Sequence, residues 1–87
     1  MNYLHYEFDA VARDVIEVTI DKAANVRLMD GSNFNAYKAG RKHRYYGGHA
    51  KQSPVRLSPP HQGRWHVVID LGGYAGTVRA SARLLKG

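Results

Sequence analysis

Two stretches that alternate at period two constrain this chain more than any other feature. They are Gly63-Arg64-Trp65-His66-Val67-Val68-Ile69-Asp70-Leu71 and Gly76-Thr77-Val78-Arg79-Ala80-Ser81-Ala82-Arg83-Leu84-Leu85. Successive side chains of a strand point to opposite faces, so Trp65, Val67, Ile69 and Leu71 share one face, as do Val78, Ala80, Ala82 and Leu84. The connector Gly72-Gly73-Tyr74-Ala75-Gly76 tolerates positive φ, and the pattern predicts a β-hairpin. Its second face carries His66 and Asp70 around Val68, opposite a polar row of Thr77, Arg79, Ser81 and Arg83. That face is expected to meet water or a partner, with Asp70 pairing Arg79 or Arg83. Trp65 is expected at the centre of the core, because an indole buries a large area.

The rest of the chain supplies further short strands. Residues 2–8 alternate Leu4, Tyr6 and Phe8 with His5 and Glu7, and residues 14–20 are rich in β-branched side chains, with Ile16, Val18 and Ile20 offset from Glu17 and Thr19. The latter strand is expected to be solvated on one side. A third strand, residues 25–29, ends at the turn signal Asp30-Gly31. The one expected helix is short, residues 32–40, with Ser32 as its N-cap and Gly40 as a left-handed C-cap. A strand through Tyr45 and Tyr46 is expected to bend at Gly47-Gly48. Pro54 opens a short edge strand over residues 55–58. About seven short strands without helical crossovers predict an all-β domain, an antiparallel sandwich or partly open, jelly-roll-like barrel.

With 87 residues, 44% hydrophobic and 23% charged, the chain reads as a single globular domain, residues 1–87, with a thin core. No cysteine is present, which removes disulfides and thiolate metal sites and fits a cytoplasmic protein. The first residues have neither a basic nor an apolar signal region, and no run approaches the roughly 18 apolar residues of a membrane span, so a soluble protein is expected.

Several of these segments carry a resemblance in order along nearly the whole chain. Asn25-Val26-Arg27-Leu28-Met29-Asp30, Ser32-Asn33-Phe34, Tyr45-Tyr46-Gly47-Gly48, Ser53-Pro54-Val55-Arg56-Leu57 and Gly63 to Gly73 with Gly76-Thr77-Val78-Arg79 resemble the bacterial family called domain of unknown function 1883. The resemblance implies a small cytoplasmic β-domain, found alone or attached to TIR domains. It implies no reaction, and it brings no catalytic residues.

Charge is divided unevenly. Residues 1–30 hold six acids against three bases, whereas residues 31–87 hold ten bases against Asp70 alone. No nucleophile, base or carboxylate pair forms a catalytic pattern, and Ser53 and Ser81 lack a nucleophile signature. The spacing of His5, His43, His49, His61 and His66 matches no zinc motif. His49, His61 and His66 are the three histidines weighed for convergence in space, but no metal or cofactor is expected. The glycines at 72–76 are turn residues, not a phosphate loop, since no helix follows them.

Two readings of function remain, both without catalysis. In the first, the domain is a protein-interaction or sensory accessory module whose exposed face, or Tyr45-Tyr46-Gly47-Gly48 rim, docks an unidentified protein partner or a fused effector. In the alternative, it binds a polyanion: nucleic acid first, then acidic lipid or a phosphorylated ligand. Arg41, Lys42, Arg44 and Lys51 supply charge, Tyr45 and Tyr46 stack on bases, and Arg79 and Arg83 extend the track if their strand lies nearby. Open sheet edges also make a homodimer an expected outcome.

Overall fold

The computed structural model describes residues 3–73 and 76–87. Met1 and Asn2, at the start of the first expected strand, and Tyr74 and Ala75, in the expected hairpin connector, lie outside the described residues. Among the described residues the order is β1 (Leu4–Ala10), β2 (Val15–Ile20), β3 (Ala24–Asp30), α1 (Gly31–Lys38), β4 (Tyr46–Ala50), β5 (Val55–Leu57), β6 (Gly63–Asp70) and β7 (Ala80–Leu85). Two antiparallel sheets result, ordered β1-β6-β3-β4 and β5-β2-β7. They stack as a sandwich and do not close into a barrel. At one side of the sandwich β1 meets β7, and at the other β4 meets β5.

The inner faces follow the apolar alternation. Ile16, Val18 and Ile20 of β2 meet Val26 and Leu28 of β3 and Trp65, Val67 and Ile69 of β6, all buried. Trp65 is 2% exposed, and its indole N–H donates to the His61 carbonyl, so its one polar atom is satisfied inside the core.

The expected hairpin does not form. β6 lies between β1 and β3 with both edges paired, and β7 pairs with β2 in the other sheet. The chain after Leu71 therefore crosses from one sheet to the other. The run Val67-Val68-Ile69 is fully buried, which requires cover on both faces of β6 and places it centrally in its sheet. The face expected to meet water is covered by α1, whose Phe34 and Tyr37 pack on Val68 and Met29.

The helix starts earlier than expected. Asp30, not Ser32, is the N-cap: its Oδ1 accepts the Asn33 backbone N–H at 2.8 Å. An aspartate at the end of a strand serves as turn residue or cap equally well, and here β3 leads straight into α1. At the other end Gly40 has φ 71°, while Gly40 N–H donates to Tyr37 O and Arg41 N–H to Ala36 O. This pair of bonds satisfies the last helical carbonyls, and a side chain at Gly40 would strain it. β2 is also less solvated than expected, since Glu17 is 8% exposed under the Arg56 and Arg83 side chains.

Candidate functional site

The outer face of the four-stranded sheet is organised by Asp70. Its carboxylate accepts from Asn25 Nδ2 at 2.9 Å, Tyr37 Oη at 2.8 Å and the Gly72 backbone N–H at 2.9 Å, and it pairs with Arg27 Nη1. The expected partners Arg79 and Arg83 are in or beside the other sheet, so that pairing is replaced by one with β3. Burial alone raises the Asp70 pKa, but the donors from Asn25 and Tyr37, the Arg27 charge and the Gly72 N–H hold it below its ordinary value. The same burial and the neighbouring Asp70 push the Tyr37 phenol above its ordinary range, so it stays a donor.

All seven carboxylates of the chain are engaged within the fold. Glu7 and Asp9 bind Arg64, and Asp14 accepts from the Val11 and Gly87 backbone and lies 3.6 Å from Lys86. Glu17 sits directly across from Arg56 on one side and Arg83 on the other, and takes a hydrogen bond from each. Asp21 accepts the Arg79 N–H, and Asp30 caps α1. Backbone donors to Asp14 and the Arg83 side chain on Glu17 draw both pKa values down.

The acids therefore neutralise Arg27, Arg56, Arg64, Arg83 and Lys86. Arg41, Lys42, Arg44 and Lys51 have no carboxylate partner among the described residues, and all four are exposed. Other unpaired cations, Arg13, Lys22, Lys38 and Arg79, are scattered singly along the chain. Four of these eight cations thus lie in the stretch from Arg41 to Lys51, which carries no acid.

That segment is held in place. Asn33 Oδ1 accepts the Arg44 N–H at 2.8 Å, and the His43 ring packs between Tyr37, 5.3 Å away, and Tyr45, 5.7 Å away. Tyr45 also lies under the Arg27 guanidinium at 5.0 Å. Tyr46 faces the other way, edge-on to Trp65 at 6.2 Å. They are the exposed large hydrophobics of the described residues, at 42% and 51%. Because they are consecutive in an extended chain, they sit on opposite faces. Among the described residues β4 pairs only with β3, which leaves its outer edge without a hydrogen-bonded strand.

The sequence-predicted residues divide accordingly. Arg41, Lys42, Arg44 and Tyr45 precede β4, Tyr46 opens it and Lys51 follows its other end, so all six lie along the β4 side but not in one cluster. Arg79 and Arg83 belong to the β7 side, across the sandwich, and Arg83 is spent on Glu17, so the expected continuous track does not exist. His49, His61 and His66 do not converge. His49 lies beside Asn25, and it lines a shallow cleft of about 340 Å³ with Lys22, Leu71 and Gly72. His61 packs on Trp65, whose neighbour His66 points to the opposite face.

His66 has a different companion, one that sequence reasoning missed. His5 Nε2 lies 2.9 Å from His66 Nδ1, and Glu7 Oε1 lies 3.8 Å and 3.9 Å from these two nitrogens. Glu7 is directly opposite His66 in the β1–β6 register, and His5 is two residues before it on the same face. Phe34 stacks on both rings, 4.1 Å from His5 and 4.6 Å from His66. Burial lowers both histidine pKa values despite the nearby Glu7 charge, so both rings are neutral near pH 7. The alternation of His5 and Glu7 was visible in sequence; the pairing of β1 with β6 was not.

These features define a small two-sheet β-domain with a helix-roofed outer face and a cationic segment beside an open edge. The chain belongs to the family described as Domain of unknown function (DUF1883), whose family model matches residues 1–87, the whole chain. No curated protein and no solved structure matches it. No helix among the described residues is long and apolar enough to cross a membrane.

Proposed function

We propose that this domain is a non-catalytic protein-interaction module of the bacterial cytoplasm, and that it holds an acidic, extended segment of its partner along β4. The observation that carries this reading is that Arg41, Lys42, Arg44 and Lys51 flank the two ends of β4, beside an open strand edge, with no carboxylate partner among the described residues. An extended chain added to that edge would find backbone donors and acceptors, and its acidic side chains would find the spare cations. Tyr45 and Tyr46 would flank it on either face. The four donors on Asp70 support a structural role for that acid, which favours binding over catalysis.

A protein partner is favoured over single-stranded nucleic acid by the tyrosines. Stacking of successive bases uses aromatics on one surface, and Tyr45 and Tyr46 project to opposite faces. The test is fluorescence anisotropy with two labelled probes, an extended peptide alternating glutamate and valine and an oligothymidylate of equal charge. The reading expects the peptide to bind more tightly, and the Arg41→Glu/Lys42→Glu/Arg44→Glu variant to lose it while its circular dichroism is unchanged. Tighter binding of the oligonucleotide would transfer the surface to the polyanion reading. Edge-to-edge pairing of two copies would instead appear as a dimer in sedimentation without any probe.

A further inference from the structure

The His5, Glu7 and His66 side chains lie on the far end of the outer face from Asp70, and the binding reading above makes no use of them. Their nearest atoms form a triangle with sides of 2.9, 3.8 and 3.9 Å. The point equidistant from all three lies about 2.1 Å from each, and zinc sits about 2.0–2.1 Å from imidazole nitrogen and about 2.0–2.2 Å from carboxylate oxygen. We propose that His5 Nε2, His66 Nδ1 and Glu7 Oε1 form a binding site for a divalent transition-metal ion of the zinc type, with solvent completing the coordination.

The two imidazoles are within 16° of parallel with centroids 5.1 Å apart, while their facing nitrogens are 2.9 Å apart. Such rings meet edge to edge, each facing nitrogen aimed at the other as in an N–H···N hydrogen bond, and to share an ion each ring turns its lone pair off that line toward Glu7 Oε1. Phe34 lies across both rings and fixes their common plane. In the free protein one ring donates its N–H to the other. With the ion between them both facing nitrogens offer lone pairs, and the former donor carries its proton on its other nitrogen. Two neutral imidazoles thus release no net proton.

The surroundings leave the ligand atoms available. Arg64 Nη1 binds Glu7 through Oε2 at 3.2 Å, which leaves Oε1 turned to the histidines. Lys38 Nζ lies 4.7 Å from the ring centroid of Phe34, a cation–π contact. His66 is buried, whereas the His5 and Glu7 side chains are 25% and 44% exposed, so the site is open to an ion from solvent. Two imidazoles and one carboxylate, with no thiolate, suit zinc and its neighbours and do not suit magnesium or calcium, which prefer all-oxygen shells.

The experiment is titration of the untagged full chain with zinc sulfate, followed by calorimetry and by long-range proton–nitrogen spectra of the histidine rings. The proposal expects one zinc per chain, with His5 fixed as the Nδ1–H tautomer and His66 as the Nε2–H tautomer. His5→Ala, a partly exposed position whose fold is checked by thermal unfolding, should abolish stoichiometric binding, and Glu7→Gln should weaken it about tenfold or more. A His49→Ala/His61→Ala control should bind as the unaltered chain does. Absence of stoichiometric binding, unchanged binding in His5→Ala, or loss in the control overturns the proposal. None of these outcomes bears on peptide binding at β4.

Discussion

Arg27 on β3 pairs with Asp70 on β6 beneath α1, and the same guanidinium lies 5.0 Å from the Tyr45 ring centroid. A single cation thus joins the buried network of the outer face to the exposed segment that follows the helix. The Asp70 side chain is wholly buried and that of Arg27 nearly so, at 19% exposure. In that setting the pair matters less for its own net energy than for what its loss leaves behind.

Arg27→Met should therefore destabilise the domain by about 3–5 kcal/mol, since an uncompensated carboxylate remains below the helix. Denaturant unfolding followed by tryptophan fluorescence measures this. A loss below about 1 kcal/mol would mean that Asn25, Tyr37 and Gly72 suffice to hold the charge.

The pH dependence has a definite sign. Asp70 has a folded-state pKa below its unfolded value of about 3.9, so the unfolded chain takes up the proton first as pH falls. Its contribution is complete above that value and is lost as pH drops through the folded-state pKa. Denaturation midpoints measured from about pH 6 down to pH 3 should fall for the unaltered chain, and more shallowly for Asp70→Asn, which starts lower. Parallel curves would assign the acid sensitivity to Asp14 and Glu17 instead, whose pKa values are also drawn down.

Trp65→Ala should cost about 3–5 kcal/mol, because the indole is fully buried between the sheets. A domain this small has about 5–15 kcal/mol in total, so the variant is expected to lose much of its stability. Trp65→Phe keeps most of the volume and should lose less. Equal losses would point to the indole hydrogen bond to His61 as the dominant contribution.

The sequence made the strands legible because each inner face shows a clean period of two, as in Ile16, Val18 and Ile20. Trp65 as a core residue and Gly40 as the left-handed end of the helix were legible for the same local reason. Which strands pair is a matter of long-range contacts, and there local pattern misled. The alternating stretches around Trp65 and Ala80 suggested a hairpin, yet Val68 between His66 and Asp70 marked a strand covered on both faces. The candidate sites divide the same way. The cationic segment is continuous in the chain and was readable, while Glu17 removing Arg83 from it, and His5 joining His66, depend on pairings across the fold.

Arg41, Lys42 and Arg44 make no ion pair among the described residues, so reversing them to glutamate should change stability little, within about 0.5 kcal/mol. Binding of the acidic peptide by the unaltered domain should weaken as salt rises, because screening shortens from about 30 Å at 0.01 M to about 8 Å at 0.15 M. Thermal unfolding and a salt series of anisotropy titrations check the two statements. A large stability loss would reveal a structural role for the segment.

The most direct test of the binding surface is a proton–nitrogen correlation spectrum of the labelled domain titrated with the glutamate–valine peptide. The account predicts shifts concentrated in residues 41–51 and in their β3 neighbours Arg27 and Leu28, with Arg79 to Arg83 unmoved. Shifts centred on β7, or none at low salt, would contradict it.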